Sequence, residues 1–302
     1  MATVNNRVYV PQAAVINGLD TGGLMSANIS EGYENILKSS PDGLQVPLKD
    51  REVQFCRGSV VTQDWPHAIA LLTGTVGTYI FYERKSGVAE ATGYIKHTIT
   101  APVIHKMTLT FTKGGYATVS FDFECRAADP TKTIADMHAY LDSQAAPTWT
   151  AAALGGYRIT SLLHGSQAIK HVMGLTVNIT TQLVKACNDG DVANTCVDAR
   201  LDGLTCDGSI SFQDSAITTN VMLAQTLVLA ARASLVATIV QGQGVAAQVL
   251  TIAGVVFDNV SSNSGAAAQF TEYTANFDIS NNGTTQLTLA GANKVLTIAA
   301  AA

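Results

Sequence analysis

Along much of the chain polar and apolar residues alternate singly, the period of a strand with one buried face. Ala117 to Glu124 is the clearest run. Val119, Phe121 and Phe123 share one face and Ser120, Asp122 and Glu124 the other, so one face is core and the other wet or subunit-facing. With Ile104 to Thr112 it predicts a hairpin around Lys113-Gly114-Gly115. Strands are also predicted at Leu24 to Ser30, at Glu52 to Thr62, and at Tyr79 to Tyr82 returning through Glu90 to Thr100 around the turn Lys85-Ser86-Gly87. A short helix, Pro66 to Leu72, follows Asp64 as N-cap, with Pro66 in the first turn and Gly74 as its stop. Glu31 to Asp50 reads as a long loop punctuated by Ser40-Pro41-Asp42-Gly43, the kind of loop that is functional or ordered by partners.

The second half reads similarly: strands at Leu175 to Thr181 and up to Phe212, a longer helix from Ser215 to about Ala233 behind Asp214, then Leu235 to Val240 and Gln248 to Phe257 around Gly242-Gln243-Gly244. Phe270 to Ile279 and Thr285 to Ile298 complete it. Gly58-Ser59-Val60-Val61-Thr62-Gln63-Asp64 is repeated as Gly208-Ser209-Ile210-Ser211-Phe212-Gln213-Asp214, 150 positions on. Cys56 maps onto Cys206 and Asn28-Ile29-Ser30 onto Asn178-Ile179-Thr180 at that spacing, while Phe121-Asp122-Phe123 maps onto Phe277-Asp278-Ile279 at 156. An insertion of roughly six residues between the anchors accounts for the change. The alternative is coincidence between short Ser/Thr/Val-rich strands. Read as a duplication, the pattern gives a mainly β chain of two tandem β-sandwich domains with one helix each. The first spans residues 1–128, including an N-terminal arm, and the second 157–302. Residues 129–156 form a linker with a helical turn or two from Thr131 to Leu141, where Ile134, Met137, His138 and Leu141 fall at helical spacing. Gly58, Asp64, Gly208 and Asp214 are then the structural anchors, each glycine marking a bulge or a close backbone approach.

At 302 residues the chain has room for two domains, each with its own core. Charged residues are 14% of it, against roughly 25% in ordinary soluble chains. Ala, Thr, Ser, Gly and Asn fill the gap, a composition suited to surfaces buried against neighbouring subunits. The net charge of −5 and the lack of basic runs argue against a nucleic-acid-binding face. The first residues lack the pattern of a secretory signal, so folding in a cytoplasm is expected. Val221 to Val240 has the length of a membrane span, but Gln225, Thr226, Arg232, Ser234 and Thr238 interrupt it.

No catalytic signature is present. Histidines 67, 97, 105, 138, 164 and 171 have no metal-ligand spacing, and His164-Gly165-Ser166 is not a nucleophile elbow. Asp189-Gly190-Asp191 reads as a turn, since the late Glu of a calcium loop is missing. Asp122 and Glu124 are ordinary members of an alternating strand. The five cysteines form neither a zinc knuckle nor a full disulfide framework. Cys187 and Cys196 are placed either to bridge a hairpin under oxidising conditions or to remain thiols.

In its order of elements the chain resembles the tail tube proteins of long-tailed bacteriophages, in the duplicated form with two domains per chain. The resemblance rests on the early strands, the long loop, the helix after Gly58 to Asp64 and the paired hairpins. It implies a structural subunit with no enzymatic activity and no cofactor. Three chains would form a pseudo-hexameric ring, and stacked rings a tube conducting DNA without specific binding. It further implies contacts with other tail proteins, no membrane, and a place in the virion tail after assembly in the host cytoplasm. Glu31, Tyr33, Pro41, Asp42, Gly43 and Asp50 would belong to a ring-stacking loop, echoed at Gln182 to Asp202. The competing expectation is a non-catalytic binding module of a tail tip or fibre that recognises a carbohydrate or receptor; the aromatics it would group on loops, Tyr9, Tyr33, Trp65, Trp149 and Tyr157, are scattered.

Overall fold

In a computed structural model the chain is mainly β, with antiparallel pairing throughout its two sheets. The structure describes residues 9–16, 19–21, 24–38, 48–72, 78–125, 134–147, 157–187, 196–213, 227, 230–241, 247–263, 272–281, 287–289 and 294–300. The first half contains β1 (Tyr9–Ile16), β2 (Leu19–Thr21), β3 (Leu24–Lys38), β4 (Leu48–Thr62), α1 (Trp65–Leu72), β5 (Thr78–Lys85), β6 (Tyr94–Thr100), β7 (Pro102–Thr112) and β8 (Thr118–Cys125). Then come α2 (Ile134–Met137) and β9 (His138–Gln144). The second half contains β10 (Tyr157–His164), β11 (Gln167–Ala168), β12 (Val172–Cys187), β13 (Cys196–Gln213), β14 (Ala233–Gln241), β15 (Gln248–Asn263), β16 (Glu272–Ile279) and β17 (Leu296–Ala300).

A five-stranded sheet runs β2-β1-β5-β6-β9. A twelve-stranded sheet runs β11-β10-β14-β15-β16-β13-β12-β7-β8-β4-β3, with β17 on β15. The second sheet therefore crosses from one half of the chain to the other, where β7 pairs with β12 from Lys106 opposite Thr180 to Thr112 opposite Gly174.

Alternation in the sequence becomes burial. On β8, Val119, Phe121, Phe123 and Cys125 are buried and the residues between them are half-exposed. Tyr79 of β5 meets Phe121 and Phe123 edge-on at 6.4 and 5.8 Å, which stacks the five-stranded sheet on β8. Burial pushes the Tyr79 hydroxyl's pKa far up. Trp65 at the start of α1 packs edge-on against Phe111. In the second half His164 meets Phe257 at 5.0 Å, and its Nε2–H donates to the Val255 carbonyl, 3.1 Å away.

Several sequence expectations change. Glu31 to Asp50 is not a loop throughout: Glu31–Lys38 and Leu48–Asp50 extend one long hairpin, with Glu31 opposite Cys56 and Ile36 opposite Asp50. Few of these residues are strand formers, but the two arms find ladder partners in each other, which satisfies backbone groups that a loop would leave to water. Its echo behaves likewise, Gln182 pairing with Asp202 and Cys187 with Cys196. The helix expected through Leu141 ends at Met137, and His138–Gln144 instead adds an edge strand to β6. Met137 is buried but Leu141 is 55% exposed, so the helical spacing of the two does not define one face. β6 starts at Tyr94, after a turn longer than Lys85-Ser86-Gly87. Of the helix expected from Ser215 to Ala233, Leu227 is helical, Ala233 already belongs to β14, and residues 214–226 lie outside the described residues.

Candidate functional site: sheet edges and a polar face

Both anchor glycines sit at crossings that admit no side chain. Gly58 faces Phe123 on β8 and Ile29 on β3; a Cβ there would lie 2.1 Å from the Asn28 carbonyl oxygen and 2.7 Å from the Phe123 ring. Gly208 faces Phe277 on β16 and Val177 on β12; its Cβ would lie 2.3 Å from both the Thr176 oxygen and the Phe277 ring. The aromatic ring lies across the glycine, filling the space that the missing side chain leaves. Asp64 stands at the N-cap of α1, its carbonyl accepting from Ala68 N at 3.1 Å while its own N–H donates to Thr62 Oγ1. Asp214, Pro41, Asp42 and Gly43 lie outside the described residues. Glu31, Tyr33 and Asp50 are on the strands of the long hairpin, so the structure brings Glu31 and Tyr33 together on one face of β3.

The outer face of the twelve-stranded sheet is a carpet of Ser, Thr and Asn. Thr108 Oγ1 donates to Asn178 Oδ1 at 3.1 Å, Asn178 Nδ2 donates to Asp207 Oδ1 at 2.8 Å, and Asn276 Nδ2 donates to Asn259 Oδ1 at 2.9 Å. These bonds run from strand to strand, including across the β7–β12 junction. The charges on this face include Asp122, Glu124, Asp207, Glu272 and Asp278 against Arg57 and Lys106. Partial burial, and then the neighbouring Asp258 and Asp207, push the Asp278 carboxyl up. Compared with known proteins, the chain matches no family model and no curated sequence.

The edges matter as much as the face. Among the described residues β3 pairs with β4 on one side only, and the second part of β15, from Val256 to Asn263, pairs with β16 on one side only. β3 shows the edge in its side chains: Ile29, opposite Gly58, is only half-buried, whereas Val177, opposite Gly208 on the covered strand β12, is fully buried. An uncovered row of strand N–H and C=O groups is a template for pairing with another chain. Sequence reasoning could not say which strands form these edges, because a strand's alternation does not say whether it has one neighbour or two.

Proposed function

We propose that the chain is a structural, non-catalytic subunit of a phage tail tube. In this reading it consists of two duplicated β-sandwich domains that self-assemble in trimers into stacked pseudo-hexameric rings around a DNA channel, in the virion tail.

Duplication is supported by matching registers. β3 bulges after Leu24 and β12 after Val172; β7 bulges between Ile104 and Lys106 and β15 between Phe257 and Asn259; β1 bulges between Pro11 and Ala13 and β10 between Ile159 and Ser161. Gly58 opposite Phe123 then corresponds to Gly208 opposite Phe277. β9 on β6 corresponds to β17 on β15.

The observation that carries the assembly is the β7–β12 pairing. Under this correspondence β12 is the counterpart of β3, and β7 of the second part of β15, so the junction inside the chain pairs copies of the two strands left bare at its ends. The same pairing between chains sets Ser30 of one opposite Ser261 of the next, as Asn178 stands opposite Thr108 within the chain. Eight strands per chain, β3, β4, β8, β7, β12, β13, β16 and β15, contribute to the closed sheet. Three chains make a barrel of 24 strands. At a strand spacing of about 4.8 Å and a tilt near 40° its backbone diameter is about 50 Å, which leaves a bore of more than about 30 Å, wide enough for duplex DNA. With the polar face inward, its excess of carboxylates repels phosphate and favours passage over binding. Charge-poor edges are then buried instead of exposed.

Electron microscopy of the purified protein, with a Ser30→Cys/Ser261→Cys variant run on a non-reducing gel, tests this. Rings or tubes are expected from the parent and from every variant, and interchain disulfides between positions 30 and 261 from the double variant and not from either single one, since directly opposed strand residues have the Cα spacing that a disulfide needs. Dispersed monomers at high concentration would remove the reading.

A further inference from the structure

Four titratable side chains, distant in sequence, form one run of contacts between the five-stranded sheet and β3. Glu83 Oε2 on β5 lies 3.4 Å from His97 Nε2 on β6. His97 Nδ1 meets His138 Nε2 on β9 at 3.1 Å, and His138 Nδ1 meets Glu31 Oε1 on β3 at 2.5 Å. Phe81 stacks flat on His97 at 4.3 Å, and the two imidazoles lie nearly parallel, 12° apart. His97 Nε2 is buried and makes no hydrogen bond, so Glu83 is the charge that it faces.

Other charged or titratable groups lie around this run on each neighbouring element. On β5, Lys85 follows Glu83 on the same face and is ion-paired with Asp142 of β9. Lys96 lies on the opposite face of β6 from His97, and Tyr140 of β9 is paired with His97 in register. Tyr33 follows Glu31 on its face of β3, and α2, packed on β4, β6 and β9, carries Asp136. Behind Glu31 are Cys56 of β4 and Cys125 of β8. The hydrogen bond that its thiol makes with Cys56, then burial, with Glu124 and Glu31 adding, pushes the Cys125 thiol far up and keeps it neutral.

The geometry fixes a proton count. Each outer ring nitrogen needs a proton to face its carboxylate, and the inner N···N contact needs one more, since two bare nitrogens or two N–H groups would repel. Two rings are thus best served by three protons and one shared positive charge, which Phe81 and the two carboxylates favour. We propose that Glu83, His97, His138 and Glu31 form a proton-counted latch that closes the five-stranded sheet onto β3 with a single imidazolium shared between the rings, and that weakens when a fourth ring proton is added or the third is removed.

The second half shows that the strands do not require this set. By register, Glu31, Glu83, His97 and His138 correspond to Ile179, Ile239, Leu250 and Leu296, all of them buried. The set is only partly buried, the Glu31 side chain being 38% and the Glu83 side chain 26% exposed, and apolar residues fill the corresponding places of the second half, so packing alone does not call for the polar set and its presence points to a switch.

Proton linkage gives the sign. Below the ordinary histidine range the two rings of the unfolded chain hold four protons against three in the latch, so stability rises with pH. Above it they hold two, so stability falls with pH. The latch is internal to one chain and does not depend on the assembly proposed above.

The test follows the thermal midpoint of the full chain from about pH 5 to pH 8, above the ordinary carboxylate range. The parent is expected to pass through a maximum and to fall by several degrees on either side. The quadruple variant E31I/E83I/H97L/H138L, which copies the second half, is expected to fold and to lose the maximum. If that variant does not fold, His138→Gln keeps the neutral links, donating to Glu31 and accepting from His97, and is expected to lose the fall on the acid side. A parent profile without a maximum, or one unchanged in whichever of the two variants folds, overturns the latch.

Discussion

Gly58 and Gly208 face Phe123 and Phe277 in the same way, yet on the neighbouring strands Glu31, Glu83, His97 and His138 stand where the other half has Ile179, Ile239, Leu250 and Leu296. The halves agree where one backbone crosses another and diverge where side chains fill space. The reason is steric. A glycine beside a carbonyl has no substitute, whereas a site lined by side chains accepts either a paired polar set or an apolar one.

The largest effect expected is from testing the agreement. Gly58→Val and Gly208→Val each force backbone apart, because even the first carbon would overlap the Asn28 or Thr176 oxygen. Each is expected to cost more than about 3 kcal/mol, enough to abolish soluble expression or to collapse the urea midpoint. Gly32→Ala is the control. Its Cβ would meet only the Phe55 ring, at 3.1 Å, and a loss of about 1 kcal/mol or less is expected. Equal losses at all three glycines would show that the crossings are not special.

The second test separates covered from bare edges. Ile29 and Val177 each stand opposite an anchor glycine, but Val177 is fully buried, with β7 paired beside it, while Ile29 lies on the open strand. Val177→Asp leaves an uncompensated charge in the junction and is expected to destabilise the chain by about 3 kcal/mol or more in urea unfolding. Ile29→Asp, at a position only partly buried at the margin of the core, is expected to cost clearly less than Val177→Asp in the same unfolding measurement and to abolish assembly, read by sedimentation. An Ile29→Asp protein that still forms rings would move the contact elsewhere.

Much of the pairing was legible in the sequence, and its errors have one form. The strand Val119 to Glu124, its hairpin at Gly114 and the helix behind Asp64 followed from periodicity and turn chemistry. The matches at Asn28/Asn178 and Phe121/Phe277 do not coincide with the registers: Gly208 faces Val177 where Gly58 faces Ile29, and Phe277 corresponds to Phe123. Each slip is two residues, and a strand shifted by two keeps every side chain on its proper face, so alternation cannot detect it. The His97–His138 contact spans 41 residues and the His138–Glu31 contact 107. Nothing local in the sequence signals either one. His138 fell in a segment with helical spacing, and an edge strand formed there because β6 offered ladder partners.

The smallest effect expected concerns the bend where the chain leaves one sheet pairing for the next. Gly254 makes it with φ 75° inside β15; Ala101, between β6 and β7, makes it with φ 48°. A left-handed conformation costs a non-glycine residue about 1 kcal/mol, and glycine there loses more freedom on folding, so the two effects nearly offset. Ala101→Gly is therefore expected to change the urea midpoint by less than the equivalent of about 1 kcal/mol. Gly254→Ala adds contact to strain, since its Cβ would lie 2.7 Å from Leu287 Cδ1 and from the Ser280 oxygen. A loss of about 2 kcal/mol is expected there, in the same denaturation series. The open question at this bend is whether conformation or crowding selects glycine, and the pair answers it. If Ala101→Gly stabilised the chain by as much as Gly254→Ala destabilised it, conformation alone would decide; a loss confined to Gly254→Ala assigns the choice to the atoms packed against β15.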